Sequence, residues 1–351
     1  MIGVVTLLAA LGGVLLGLVL GAVAATRRHR RTVAARSDAP TRVDADHPAL
    51  ERPVAFVLSG GAAGAAVQAG MVRELLARGV VPQRLYGTSA GALNAAALAN
   101  DPSVEGAERL CAIWRGLTRE HIFPGRRAAT TLNAFRRRDG MYSPVGLRDL
   151  IARTLDYGDL ADSPVPLTVV ATSLRTGSPR RLTRGPAVAA ILASASIPGV
   201  FPPVVVEGEP LVDGSLVDHV PLAAAVEDGA LDVYVLLAGA RTHRPVTVAR
   251  PYEAILAALS ISMHARFTVE VDYLARLHPA ARIAVIAAET PHHAFDDFTD
   301  PEDLIEAGAR AVARYLDATP PSPERLSATD DLAALLAVEE RRVPRRRARA
   351  R

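Results

Sequence analysis

No lysine occurs anywhere in the 351 residues, so all 40 basic side chains are arginines. Schiff-base chemistry and a lysine general base are thereby excluded. An arginine-only basic set fits the codon bias of a GC-rich genome, so its abundance is no sign of nucleic-acid binding, and no nucleic-acid partner is expected. Cysteine is nearly absent as well. The single Cys111 rules out an internal disulfide and any metal site built from cysteines. It falls in a helical pattern running from Glu105 to Leu117 and reads as a small core residue. There is no internal repeat. The one suggestive metal cluster, His292-His293 with Asp296 and Asp297, reads better as an acidic loop before a helix, so neither metal nor cofactor is expected.

Charge is missing from Ile2 to Ala25, which are almost wholly Leu, Val, Ala and Gly. A helix of that length reaches about 35 Å, enough to cross a hydrocarbon core of about 30 Å. Arg27, Arg28, Arg30 and Arg31 follow at once and favour keeping that end in the cytoplasm. Residues 1–25 are therefore expected to form a transmembrane anchor, with a secretory signal cleaved near Gly21 to Ala25 as the alternative. Residues 26–52 read as a basic and polar linker, 53–319 as the folded catalytic domain, and 320–351 as a Pro- and Arg-rich tail with a short amphipathic helix over Asp330 to Glu340. The arginines from Arg341 to Arg351 would be drawn to anionic lipid head groups, by about 1 kcal/mol each near the surface. The expected location is the cell membrane, single-pass, with the folded part in the cytoplasm.

Between those ends, short apolar runs alternate with helical spacing. Val54–Leu58, Arg84–Tyr86, Leu167–Ala171, Leu211–Val212, Tyr234–Leu237 and Ile283–Ile286 are expected strands. Val67–Arg78, Ala90–Asn100, Pro144–Leu155, Ala187–Ala195, Tyr252–Leu277 and Pro301–Leu316 are expected helices. Half the residues are hydrophobic, so a sizeable core is available. Alternation of this kind predicts an α/β sandwich on a mostly parallel sheet. The polar, arginine-dotted stretch Arg119 to Met141 is the least regular and reads as a loop or cap.

Three of the apolar runs end in small-residue turns, and those turns carry chemistry. Gly87-Thr-Ser-Ala-Gly91 places Ser89 on a sharp strand-to-helix turn, where a hydroxyl is exposed at a helix amino terminus as a candidate nucleophile. Gly60-Gly61 permits backbone angles that aim N–H groups at one point, a candidate oxyanion loop. Asp213-Gly214 offers a carboxylate that would become a better proton acceptor if desolvated beside the serine. Together they make a serine acyl hydrolase the leading reading.

At this point the chain resembles the patatin-like phospholipase family over roughly Pro53 to Leu316. Leu58-Ser-Gly-Gly61 with Val67-Gln-Ala-Gly70 is similar to its glycine-rich block, and Tyr86 to Asn94 to its nucleophile block. Ala193 to Pro203 is similar to its central segment, and Leu211 to Pro221 to its aspartate block. The resemblance implies a three-layer α/β/α sandwich and a Ser–Asp dyad without histidine or metal. It also implies hydrolysis of lipid acyl esters such as phospholipids or lysophospholipids, with membrane lipids as substrate and surface. By position it makes Ser89 the nucleophile, Asp213 the base, and Gly60 and Gly61 oxyanion donors.

The chain departs from the family pattern in the first block, where Ala62 replaces the third glycine and the arginine is absent. Ser215 and His219 replace the usual small residue and asparagine of the aspartate block. Two alternatives stand beside the main reading. One is a catalytically silent lipid-binding or scaffold protein on the same fold, motivated by the altered first block. The other is an α/β-hydrolase with a Ser–His–Asp triad drawing on His219, His243, His264, His278, His292 or His293; the serine following so soon after the first strand speaks against it.

Overall fold

The computed structural model describes residues 52–124, 140–238, 251–290 and 294–318. The expected anchor (1–25), the linker up to residue 51 and the tail (320–351) lie outside the described residues. So do His243, His292, His293 and positions 125–139 of the expected cap. Among the described residues no helix is long and apolar enough to cross a membrane.

In chain order the elements are β1 (Val54–Leu58), α1 (Ala66–Ala77), β2 (Arg84–Thr88), α2 (Ala90–Asn100), α3 (Val104–Gly116) and α4 (Arg119–Ile122). After these come α5 (Val145–Thr154), β3 (Leu167–Ser173), β4 (Pro179–Leu182), α6 (Ala187–Ser194), β5 (Val204–Val206) and β6 (Glu209–Asp213). The remainder is α7 (Leu222–Glu227), β7 (Asp232–Leu237), α8 (Pro251–Leu277), β8 (Arg282–Ala287) and α9 (Pro301–Ala318). The strands form one sheet in the order β5-β6-β3-β2-β1-β7-β8, with β4 also paired to β3.

The sheet is mixed. Strands β3, β2, β1, β7 and β8 are parallel to their neighbours. The remaining pairings, β3 with β4, β3 with β6 and β5 with β6, are antiparallel. The expected parallel sheet therefore holds for the centre and the β8 edge, while the edge that carries Asp213 runs the other way. β6 follows β5 through a tight turn, and a hairpin forces antiparallel pairing.

Alternation along the central strands explains why helices cover both faces. Phe56 and Leu58 of β1, Leu85 of β2 and Leu236 of β7 face one core, with α1, α2, α3, α5, α6 and α9 packed there. Ala55 and Val57, Tyr86, and Val233 and Val235 face a second core covered by α7 and α8. Cys111 is fully buried in the first of these, as the helical pattern implied.

That first core holds a polar chain where apolar packing would be the default. Gln68 of α1 donates to the carbonyls of Ser59 and Leu236, each at 2.9 Å, and accepts from Asn94 Nδ2 of α2 at 2.9 Å. Asn94 also donates to the Ala65 carbonyl at 3.0 Å and accepts from Trp114 Nε1 of α3 at 2.8 Å. Gln68 and Asn94 are completely buried. Fully satisfied buried networks fix one arrangement of the elements they join, and this one ties three helices to the ends of β1 and β7. Gln68→Leu would leave the Ser59 carbonyl without its partner and remove one of two partners from the Leu236 carbonyl and from the Asn94 amide. At about 1–3 kcal/mol per unsatisfied group, with partial relaxation, a loss of about 3 kcal/mol is expected. It would be read as a lower urea midpoint at unchanged slope.

Candidate active site

Register brings the serine and the aspartate together although their strands are not neighbours. Thr88 of β2 lies opposite Val170 of β3, which puts Ser89 level with Ala171. Ala171 pairs with Asp213 of β6 along that same edge, because β4 takes the opposite edge at residues 169–172. β2 and β6 thus end against each other beside β3, and Ser89 Oγ donates to Asp213 Oδ2 at 2.6 Å.

The turn around Ser89 is strained, with φ 57° and ψ −127° for a residue that carries a Cβ. It is possible because its flanks are bare. A Cβ on Gly91 would run into the carbonyls of Leu58 and Ser59, and one on Gly87 would lie 2.6 Å from the Ala92 Cα. Ser89 N–H donates to Ser194 Oγ at 2.9 Å, and Ser194 Oγ donates in turn to the Val170 carbonyl at 2.5 Å.

Asp213 is held just as closely. Its N–H donates to the Ser196 carbonyl at 2.9 Å, and Thr172 Oγ1 donates to its carbonyl at 2.7 Å. Its second carboxylate oxygen accepts from Ser215 N–H at 2.8 Å. Burial pushes the Asp213 carboxyl up to about 6, against the opposing pull of hydrogen bonds from Ser89 and from the N–H and hydroxyl of Ser215. Ser194, Ser196 and Thr172 were not singled out from sequence. A serine that holds a backbone group leaves no mark in the sequence beyond a small polar residue in an apolar run.

The glycine loop differs from expectation at one donor. Gly60 N–H, expected to face a substrate oxygen, instead donates to the His219 carbonyl at 3.1 Å. The His219 segment packs directly behind the loop and takes that N–H. The N–H groups of Gly61 and Ala62 donate to no acceptor among the described residues. Ala62, standing where the family pattern has glycine, adopts φ 47°. That left-handed angle costs an alanine about 1–2 kcal/mol, so the loop takes up the geometry under strain.

Ala62, Ala63 and Ser89 open into an apolar pocket. Leu93, Trp114, Leu150, Ile191, Phe201 and Phe298 line its walls. Phe123 is central to its aromatic side, with its ring 5.5 Å from that of Phe201 and 5.4 Å from that of Phe295. A half-hidden ion pair, Arg119 to Asp296 at 2.9 Å, joins α4 to the segment before α9, and Arg119 also donates to Tyr142 Oη at 2.9 Å.

Among the described residues no histidine intervenes between Ser89 and Asp213. His219 Nδ1 is buried without a hydrogen-bond partner, and burial lowers its imidazole to about 4, so it is neutral near pH 7. No group of three or more His, Cys, Asp or Glu side chains among the described residues is arranged to hold a metal ion.

The raised Asp213 has a consequence for stability. A carboxyl whose folded value is about 6, against about 3.9 unfolded, stabilises the fold when protonated. That contribution is complete below the unfolded value and is lost as pH rises through about 6. Ionising it therefore costs on the order of 3 kcal/mol by pH 7.5. Asp213→Asn cannot ionise, so its stability relative to the unsubstituted protein is expected to rise between pH 4 and 7.5. Denaturant unfolding at both pH values checks this, and a difference that does not change with pH would contradict it.

Residues 56–226 match a family model described as patatin-like phospholipase. An uncharacterised NTE family protein of Mycobacterium tuberculosis is 33% identical over 177 residues, 48% of this chain and 44% of that protein. The lysophospholipase NTE1 of Mycosarcoma maydis is 27% identical over 194 residues, 53% of this chain and 10% of its own length. The chain thus spans less than half the length of these relatives. Among solved structures, VipD of Legionella pneumophila superposes with a TM-score of 0.46 at 14% identity, over 88% of this chain and 81% of that one. The family match covers both the serine and the aspartate turns, so residues 56–226 of the chain are similar to the patatin-like phospholipase family.

Proposed function

We propose that the protein is a lipid acyl-ester hydrolase in which Ser89 is the nucleophile and Asp213 the general base. The observation that carries this reading is the 2.6 Å hydrogen bond from Ser89 Oγ to a buried Asp213 at the mouth of an apolar cavity. A serine hydroxyl is a weak nucleophile until a base takes its proton. The desolvated carboxylate supplies one at the contact distance acid–base catalysis needs.

In acylation Ser89 Oγ attacks the ester carbonyl carbon while its proton passes to Asp213. The N–H groups of Gly61 and Ala62 receive the developing oxyanion. Collapse expels the alcohol, which takes the proton from Asp213 and leaves an acyl-serine. In deacylation water attacks the same carbonyl carbon, its proton goes to Asp213 and then to Ser89 Oγ, and the fatty acid departs. The apolar walls suit one acyl chain, so a phospholipid or lysophospholipid is the proposed substrate class. The proposed setting is the inner face of the cell membrane, reached through the apolar segment 1–25 and the arginine-rich ends. The NTE1 relative is named a lysophospholipase, which agrees with this class.

Ser89→Ala and Asp213→Asn are each expected to reduce release of fatty acid from phospholipid vesicles by at least a thousandfold, with the fold retained by circular dichroism. Substantial activity in either folded variant would reject the dyad. In the unsubstituted enzyme kcat/KM should fall tenfold per pH unit below about 6, because only ionised Asp213 can accept the proton. A fluorophosphonate probe should label Ser89 and fail on Ser89→Ala. A folded protein that takes up no label would instead favour a silent lipid-binding role, to which the strained Ala62 loop lends some support.

A further inference from the structure

The two N–H groups left open at the glycine loop each belong to a peptide plane, and a trans peptide points its N–H and C=O in opposite directions. Whatever grips the carbonyl therefore aims the amide. The plane joining Gly61 to Ala62 is gripped by backbone, since Gly64 N–H donates to the Gly61 carbonyl at 3.0 Å. The plane before it joins Gly60 to Gly61 and is gripped by a side chain. Ser59 Oγ donates to the Gly60 carbonyl at 3.0 Å. The planes flanking this pair commit their N–H groups elsewhere, Gly60 to the His219 carbonyl at 3.1 Å and Ala63 to the Phe295 carbonyl at 3.2 Å.

We propose that Ser59 is a positioning residue for the oxyanion site, turning the Gly60–Gly61 peptide so that Gly61 N–H meets the oxygen of the ester that Ser89 attacks. The inference rests on reading Ser89 as the nucleophile. The plane in question lies between two glycines, whose backbone angles resist rotation least, so it is the plane in the loop most in need of an outside hold.

Ser59 is placed to give that hold. It is 1% exposed, and its oxygen accepts from Ala238 N–H at 2.8 Å, just beyond the end of β7. With that lone pair engaged, the single hydroxyl proton is directed to the Gly60 carbonyl. Gln68 Nε2 stands 3.5 Å from the same oxygen, but its two protons go to the Ser59 and Leu236 carbonyls at 2.9 Å each. A Cβ on Gly61 would collide with the Ala238 side chain, so the loop also rests on the residue that orients Ser59. The hydroxyl thus carries the position of the β7 end into the aim of an amide further along the chain.

The test uses p-nitrophenyl butyrate as substrate and propyl trifluoromethyl ketone as a probe of the oxyanion. Ser89 Oγ adds to the ketone carbon, its proton passes to Asp213, and the carbonyl electron pair moves onto oxygen. The product is a hemiketal anion that stands where the tetrahedral intermediate would. Ser59→Ala removes the hydroxyl and leaves every reacting group in place. Losing an oxyanion donor outright costs about 100- to 1,000-fold in kcat, so a donor that is present but misaimed is expected to cost about 10- to 100-fold. KM should stay within about threefold, as expected when an interaction made only in the transition state is lost. The inhibition constant of the ketone should rise by the same factor as kcat/KM falls. The acid limb of the pH profile should not move, because the Asp213 carboxyl is untouched.

Ser59→Cys, whose thiol is a weak donor, is expected to fall between the two, and it serves alone if Ser59→Ala melts below assay temperature. A folded Ser59 variant with kcat within about twofold of the unsubstituted protein overturns the inference. So does a loss of kcat that leaves ketone affinity unchanged, which would mark a general loosening where β1 and β7 end. A ketone that binds Ser89→Ala as tightly as the unsubstituted protein would instead sink the dyad itself.

Discussion

A hydrogen bond between the ends of two strands that do not pair with each other governs this molecule. Ser89 and Asp213 meet end to end beside β3, because Val170 pairs with Thr88 and the next residue, Ala171, pairs with Asp213 along the same edge. A slip of one residue in either pairing would turn a side chain to the opposite face of the sheet. Much of the surrounding hydrogen bonding secures that register. Ser194 grips both Ser89 and Val170, Ser196 grips Asp213, and Thr172 holds the carbonyl of Asp213.

The same region gathers most of the local strain. Two of the non-glycine residues with positive φ, Ala62 and Ser89, belong to the loop and the serine turn. Asp213 is ionised only against its burial. Such features persist where the surrounding structure over-determines them. Here the polar chain through Gln68, Asn94 and Trp114 anchors the loop from one face of the sheet, and His219 anchors it from the other through its carbonyl. The loop is clamped between the two cores, which is why an alanine can be held at an angle suited to glycine.

Much of this was legible in the amino-acid sequence. The strands at Val54–Leu58 and the helix at Ala90–Asn100 match their expected bounds, because each combines an apolar run with small-residue punctuation. β4 was not anticipated, since Pro179-Arg-Arg-Leu182 is mostly exposed and carries no apolar alternation. β5 is three residues long and α7 six, too short for periodicity to register. At the site, the turn residues announced themselves by spacing, whereas Ser194, Ser196 and His219 act through backbone groups far away in sequence. The diversion of the Gly60 N–H belongs to that second kind. It depends on a carbonyl at position 219 that no local pattern could locate.

The scarcity of thiols has a practical side. Cys111 lies wholly inside the packing of α1, α3 and α9, with burial raising its thiol to about 11. An alkylating reagent offered to the native protein has no exposed sulfhydryl to consume, and no lysine competes for it. Its uptake would therefore clock the rate at which those three helices part, an intrinsic gauge of breathing in the layer that anchors the glycine loop.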